Sequence, residues 1–216
     1  MHQILVYADS LSWGIIPGTR RRLVFSDRWP GVMELELLKQ GQDVRVIEDC
    51  LNGRRTVWDD PFKPGRNGLD GLEQRIEVNS PLSLVMLLLG TNDFQSVHHH
   101  SAWHSAQGLL SLVQAIRRAP IEPGMPNPEI MLIAPPPIRA AKGAIASKFL
   151  DAESKAAGLH IAIQEAALEA RCEFFGASDV TATSMVDGVH LDRDQHHLLG
   201  TALASRVADL LNRKAN

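Results

Sequence analysis

The sequence predicts an α/β protein: a three-layer α/β/α sandwich built on a flavodoxin-like open parallel sheet of about five strands. Two observations carry this. Short apolar runs alternate along the whole chain with longer stretches of helical spacing, the pattern of parallel strands joined by crossover helices. One of these runs, Ser83 to Leu89, is almost wholly apolar, as a strand covered on both faces must be. Five strands are too few for an eight-stranded barrel, so the sheet stays open.

Taken in order, Ile4 to Ala8 reads as the first strand. Trp29 to Leu38 has helical spacing, with Trp29, Val32, Met33, Leu35, Leu37 and Leu38 apolar. Val44 to Ile47 is a short second strand. Leu69 to Val78 is a helix carrying Leu69, Leu72 and Ile76 on one face. Ser83 to Leu89 is the third strand, Trp103 to Ile116 a helix, and Ile130 to Ala134 the fourth strand. Phe149 to Ala170, rich in Ala and Glu, is expected to form one long helix. Glu173 to Phe175 is a short fifth strand, and Gln195 to Leu211 closes the chain as a helix. The Pro/Gly-rich stretch from Pro120 to Pro128 is a loop within the sheet unit, since a strand follows it. Ile15 to Arg28 and Arg54 to Asn67 are two more long connections, and such loops inside a compact domain are often functional.

The whole chain, residues 1–216, is expected to be a single domain. Its hydrophobic fraction of 44% and charged fraction of 22% are those of an ordinary globular protein and exclude disorder as the main description. A net charge of −3 gives no support to a nucleic-acid partner. Two cysteines, Cys50 and Cys172, make no disulfide framework and read as reduced thiols. No apolar run approaches the roughly 18 residues of a membrane span. The first residues lack a basic segment and a long apolar one, so no signal peptide is expected, and a cytoplasmic location is. No repeat of solenoid period is visible.

Ligands of open α/β sheets bind beyond the carboxyl ends of the strands. Those ends lead into Asp9-Ser10-Leu11, Asn52-Gly53, Gly90-Thr91-Asn92-Asp93, Pro135-Pro136-Pro137 and, further on, Asp187-Gly188-Val189-His190. A serine hydroxyl needs a base to become a nucleophile, and His190 can supply one. Asp187, three residues earlier, can hold the other ring nitrogen. An oxyanion needs fixed donors: the Ser10 N–H, the Gly53 N–H and the Asn92 amide are candidates. Taken singly, each residue has a plainer reading: Ser10 as a helix cap, Asn92 and Gly53 as turn residues, His190 as a loop histidine. Asp9 reads as a cap or turn residue and is left out of the triad.

Ala8-Asp9-Ser10-Leu11, Asn52-Gly53, Gly90-Thr91-Asn92-Asp93 and Asp187-Gly188-Val189-His190 resemble, in order, the four blocks of the SGNH (GDSL) hydrolase family. The likeness spans residues 8 to 190. Val46-Ile47-Glu48, Arg54-Arg55-Thr56, Asp59-Asp60-Pro61, Arg66-Asn67-Gly68 and Ala134-Pro135-Pro136-Pro137 are similar to bacterial arylesterase/acyltransferase-like members. The resemblance implies metal-free ester hydrolysis without a cofactor, with Ser10, Asp187 and His190 as triad and Ser10, Gly53 and Asn92 as oxyanion hole. It also implies homo-oligomers whose subunits shape the site entrance, with loops 15–28, 54–67 and 94–104 as contact candidates. One departure is Ala8, where the family usually has Gly. A left-handed backbone there would strain Ala, whereas strand geometry would not.

The expected function is a serine esterase of small acetyl or aryl esters; the resemblance adds acyl transfer to alcohols where the pocket is apolar and narrow. Alternatives on the same site are a carbohydrate acetylesterase, a lysophospholipase or a thioesterase; outside catalysis, a flavodoxin-like binding module. Trp13, Phe94 and Val97 are candidate pocket walls, Trp13 having the core as its other reading. Arg20, Arg21 and Arg22 form a basic run, read as a solvated loop or as a contact with an acidic partner or substrate. His98, His99, His100 and His104 invite a metal reading, with His100 and His104 four apart, but no third-ligand cysteine, second His pair or His-Glu-x-x-His accompanies them, so they read as a solvated, substrate-rim or oligomer-contact loop. His196 and His197 are expected on the surface of the last helix. The chain has no Gly-x-Ser-x-Gly, Walker A loop or Gly-x-Gly-x-x-Gly, which disfavours an α/β-hydrolase elbow and a nucleotide cofactor.

Overall fold

A computed structural model describes residues 1–215. Its five strands are β1 (His2–Ala8), β2 (Val44–Cys50), β3 (Leu84–Leu88), β4 (Glu129–Ala134) and β5 (Glu173–Gly176). All pair in parallel, in the order β2-β1-β3-β4-β5. This is the flavodoxin-like order, which reverses direction between β1 and β3 and opens a crevice there. The helices are α1 (Ser10–Trp13), α2 (Trp29–Lys39), α3 (Leu72–Asn79), α4 (Ala102–Arg118), α5 (Ala152–Lys155), α6 (Leu159–Glu169) and α7 (Arg193–Ala215).

Strand side chains alternate between two cores, as the two-residue period of a strand requires. Leu5, Tyr7, Val85, Leu87 and Leu132 pack with Leu72 and Ile76 of α3, Leu109 and Leu112 of α4 and Ile163 of α6. Ile4, Val6, Leu84, Met86 and Ile133 face the other way, onto Met33 and Leu37 of α2 and Leu199, Leu203 and Val207 of α7. Every residue of β3 is fully buried, which explains its unbroken apolar run. Each such aliphatic side chain contributes about 1.5–3 kcal/mol by leaving water.

Three expectations need correction. The second strand continues past Ile47 to Cys50, because Glu48, Asp49 and Cys50 still pair with Val6, Tyr7 and Ala8. The helix read from Leu69 begins at Leu72, since Gly71 is left-handed at φ 72°. The single helix over Phe149 to Ala170 is instead a 3-10 turn (Gly143–Phe149), the short α5 and α6. Asp151 and Gly158 both take positive φ, 57° and 82°, which no continuous α-helix accommodates. Among the described residues no helix is long and apolar enough to cross a membrane.

Candidate active site

Three of the site's segments leave the ends of neighbouring strands. β1 ends at Ala8, which lies in strand pairing with Cys50 and Leu88 and is not among the residues of positive φ, so Ala is unstrained there. Asp9 then caps α1: its carboxylate accepts from Leu11 N at 2.9 Å. This places Ser10 at the first position of the helix, where a backbone N–H has no intrahelical partner and stays available to an anion.

β2 leads into Asn52-Gly53. Gly53 takes φ +85°, and a Cβ built on it meets nothing closer than 3.8 Å. Glycine is therefore demanded by backbone conformation and not by crowding. β3 leads through Gly90 (φ +118°) into a 3-10 turn, Thr91–Phe94. Fully buried Asp93 locks this turn to the segment after Gly53, accepting from Thr56 N (3.0 Å), Thr56 Oγ1 (2.8 Å) and Ser105 Oγ (2.7 Å). Burial pushes its carboxyl up despite those three bonds.

The fourth segment lies between β5 and α7. Asp187 Oδ1 accepts from the backbone N–H groups of Val189 (3.0 Å) and His190 (2.9 Å). Gly188, at φ +80°, packs so tightly that a Cβ would lie 2.5 Å from the Ala140 carbonyl oxygen. Arg139 N donates to Gly188 O and Lys142 N to Asp187 O, at 2.8 and 3.0 Å, pinning the loop to the strap that follows β4.

These segments bring Ser10, His190 and Asp187 together. Ser10 Oγ lies 3.1 Å from His190 Nε2, and His190 Nδ1 lies 2.8 Å from Asp187 Oδ2. The carboxylate accepts a hydrogen bond from Nδ1–H, which keeps the ring proton on Nδ1 and leaves Nε2 to accept from the serine hydroxyl. Burial pushes the Asp187 carboxyl up, but the bond and charge of His190 and the two backbone donors outweigh it and hold the carboxyl well below its ordinary range. Asp187 thus stays ionised beside the imidazole.

The Asn92 amide is held at both ends. Its Nδ2 donates to Asp9 Oδ2 (2.9 Å) and to Arg54 O (3.2 Å), while its Oδ1 accepts from Gln95 Nε2 (2.6 Å). Gln95 Oε1 in turn accepts from buried Arg55 (2.6 Å), which pairs with Asp60 at 3.0 Å. An incoming oxyanion would draw on the longer contact of Nδ2, that with Arg54 O. Asp9 is buried completely. Loss of hydration, opposed by Leu11 N, the charge of His190, Asn92 and Arg54, moves its carboxyl up to about 7.

Ser10, Gly53, Asn92 and His190 line one cleft of about 280 Å³ with Ile15, Arg20, Asn52, Lys63, Ile145, Lys148 and Phe149. A larger open depression of about 940 Å³ runs along α7, but none of these four residues lines it. The expected pocket walls lie elsewhere. Phe94 is fully buried in the core beneath the turn. Trp13 is half-buried under the Arg22 guanidinium, 4.8 Å from its ring centre. Val97 lines a neighbouring cavity with Asp60 and Phe62. Helix and turn spacing could not reveal Ile15 and Lys63, which arrive on loops, or Ile145, Lys148 and Phe149, which arrive on the 3-10 turn after β4. Gln95 carried a local signal, three residues after Asn92 in the same turn.

The histidines divide. His98 and His100 stack at 4.7 Å, with Trp58 on His100 at 4.1 Å, away from the cleft. Loss of hydration, then the charges of His98, His104, Arg55 and Lys155, takes His100 down to about 4. Among the described residues no cluster of His, Cys, Asp or Glu could hold a metal ion. His196 corrects the surface expectation: it is fully buried, its Nδ1 accepts from Trp29 N at 3.3 Å, and burial first of all takes its pKa down to about 3. Its spacing from Leu199 and Leu203 on one face of α7 was the signal for this.

No family model matches the chain. Solved structures do. A carbohydrate acetylesterase from Sinorhizobium meliloti aligns with a TM-score of 0.91 and 31% identity, over 97% of this chain and 100% of that one. An inhibitor-bound aryl esterase of M. smegmatis aligns with a TM-score of 0.92 and 31% identity over the same shares. In sequence, an arylesterase of Vibrio mimicus is 34% identical over 91 residues, 42% of this chain. That match spans 38% of the Vibrio protein's own length.

Proposed function

Because the chain belongs to the SGNH (GDSL) hydrolase family, we propose that it is a serine esterase of small acyl esters, with Ser10, His190 and Asp187 as its triad. The observation that carries this is the continuous contact from Asp187 through His190 to Ser10, at 2.8 and 3.1 Å, opening into a cleft. A binding module would have no need to align those three groups. The cleft volume sits at the small end of ligand sites, which span about 300–1,000 Å³, and so favours short acyl groups.

In this mechanism the Ser10 hydroxyl gives its proton to His190 Nε2 as Oγ bonds to the ester carbon. The carbonyl oxygen becomes an oxyanion held by the N–H groups of Ser10 and Gly53 and by the Asn92 amide. The C–O bond to the alcohol breaks, and the alcohol leaves with the proton from His190. Water then gives a proton to His190 and attacks the acyl-serine. Collapse frees the acid and returns the proton to Ser10. An alcohol in place of water would make the same enzyme an acyltransferase, with Ile15, Ile145 and Phe149 as an apolar wall for it. Self-association belongs to the same reading: Phe62 and Val97 stand exposed on loops 54–67 and 94–104, and Trp103 in the first turn of α4.

The test is p-nitrophenyl acetate turnover by wild type and by Ser10→Ala at matched folded concentration. A loss of about 10³-fold or more is expected. Equal rates would refute Ser10 as nucleophile.

A further inference from the structure

Among the described residues, three cations stand around the Ser10 cleft and no carboxylate lines it. They arrive on three separate segments, each pinned by backbone bonds. Arg20 sits in the hairpin of residues 14–23, closed by Leu23 N to Gly14 O (2.8 Å) and Ile16 N to Arg21 O (3.0 Å). Lys63 N donates to Asp60 O at 3.2 Å. Lys148 is the penultimate residue of the 3-10 turn that Ser96 ties down, through Ser96 N to Lys148 O (2.8 Å) and Ser96 Oγ to Ser147 O (2.6 Å).

Among the described residues, none of the three has a carboxylate within ion-pair distance. Asp60, the acid that acts on Lys148, is already engaged by Arg55 and by Phe62 N. Loss of hydration lowers the Lys148 ammonium from its ordinary value; Asp60 opposes this, and Arg55, Lys63 and Arg20 add to it. The chain as a whole is acidic, at −3, so composition does not force cations together here. Like charges gathered without a counter-charge repel one another, and an anion brought between them relieves that repulsion.

We propose that the cleft selects esters carrying an anionic group, such as a carboxylate, placed against Arg20, Lys63 and Lys148 while the ester carbonyl lies at Ser10. The inference rests on the esterase reading and names its substrate class. The anion can sit on the acyl side or on the alcohol side, and the shared chemistry is a carboxylate ester with a second negative charge.

Two matched pairs test it. p-Nitrophenyl hemiglutarate against p-nitrophenyl valerate places the charge on the acyl side. 4-Acetoxybenzoate against 4-acetoxybenzamide places it on the alcohol side. The readout is the anionic-to-neutral ratio of kcat/KM, at low and high KCl, for wild type and for Arg20→Gln, Lys63→Gln and Lys148→Gln. A ratio of about ten or more is expected in one pair, the order of a charged hydrogen bond. It should fall with salt and in at least one variant. Ratios near one in both pairs, or a ratio that neither salt nor any variant moves, would overturn the inference while leaving Ser10-dependent turnover of the neutral esters intact. Absence of Ser10-dependent turnover for all four esters would instead sink the esterase reading. Calorimetric binding of 4-acetoxybenzoate against 4-acetoxybenzamide would then decide the inference: preferential, salt-sensitive binding of the anion supports it, and equal binding overturns it.

Discussion

Replacing Asp187 by Asn changes one atom's hydrogen-bonding character and little else. The carboxylate accepts four bonds: Val189 N and His190 N on Oδ1, His190 Nδ1 and Gly18 N (3.3 Å) on Oδ2. An Asn side chain can keep the first two through its oxygen. Its NH2 group then faces His190 Nδ1 at a distance where one partner must accept. The imidazole can satisfy it only by moving its proton to Nε2, which turns the base towards Ser10 into a donor. The lost rate should therefore approach that of removing the base, about 10³–10⁴-fold in kcat/KM, or about 4–5.5 kcal/mol of barrier. The folded state loses a charge-assisted contact, at about 1–3 kcal/mol, so the protein should still fold. The assay is p-nitrophenyl acetate hydrolysis at pH 7.5, normalised to folded protein by circular dichroism. A variant that folds and keeps more than about a tenth of wild-type kcat/KM would refute the argument that Asp187 sets the tautomer of His190.

Asn92→Ala removes the proposed oxyanion donor, and kcat should drop by about 10²–10³-fold with a smaller change in KM, measured on the same substrate. Asp9→Asn tests the buried carboxyl. Wild-type Asp9 holds its proton to about pH 7 when folded, whereas an unfolded Asp releases it near 3.8, so folding binds a proton between those values. Stability should fall by about 4 kcal/mol as pH rises from roughly 4 to above 7. In Asp9→Asn that part of the slope should vanish, seen as a smaller drop in melting temperature between pH 5 and pH 8; identical slopes in both proteins would contradict it.

The site residues that could be read from the sequence are those attached directly to strand ends or held in a short turn. An apolar run ending in Asp-Ser or Gly-Thr-Asn-Asp places its polar residues at the crevice by strand geometry alone. The Asp-x-x-His pair was legible because its internal bonds, from Val189 N and His190 N to Asp187, are local. The cleft walls were not: Ile15 and Lys63 sit on irregular loops with no periodic pattern, and the 3-10 turn carrying Ile145, Lys148 and Phe149 is held by Ser96, some fifty residues earlier. Composition misled in the Phe149 to Ala170 stretch: Ala and Glu favour helix, but Asp151 and Gly158 sit in left-handed geometry at its joints. For His196 the apolar spacing of α7 was a better guide than polarity, since a neutral ring can be buried when one nitrogen finds a backbone partner.

Ser10 and His190 are separated by 180 positions yet touch. A ribosome adding about 5–20 residues per second exposes the serine well before the histidine proposed as its base exists. Through that interval the hydroxyl is an ordinary alcohol with no means of losing its proton. In the proposed mechanism chemistry switches on only when the segment following β5 docks against the end of β1, a pairing of very high sequence separation that closes late. A partly synthesised or clipped chain lacking that segment would carry the proposed nucleophile and the proposed Asn92 donor but, lacking the base, no hydrolytic power. Activity therefore reports completion of the sheet, and a fluorogenic ester added during translation would time the last step of folding.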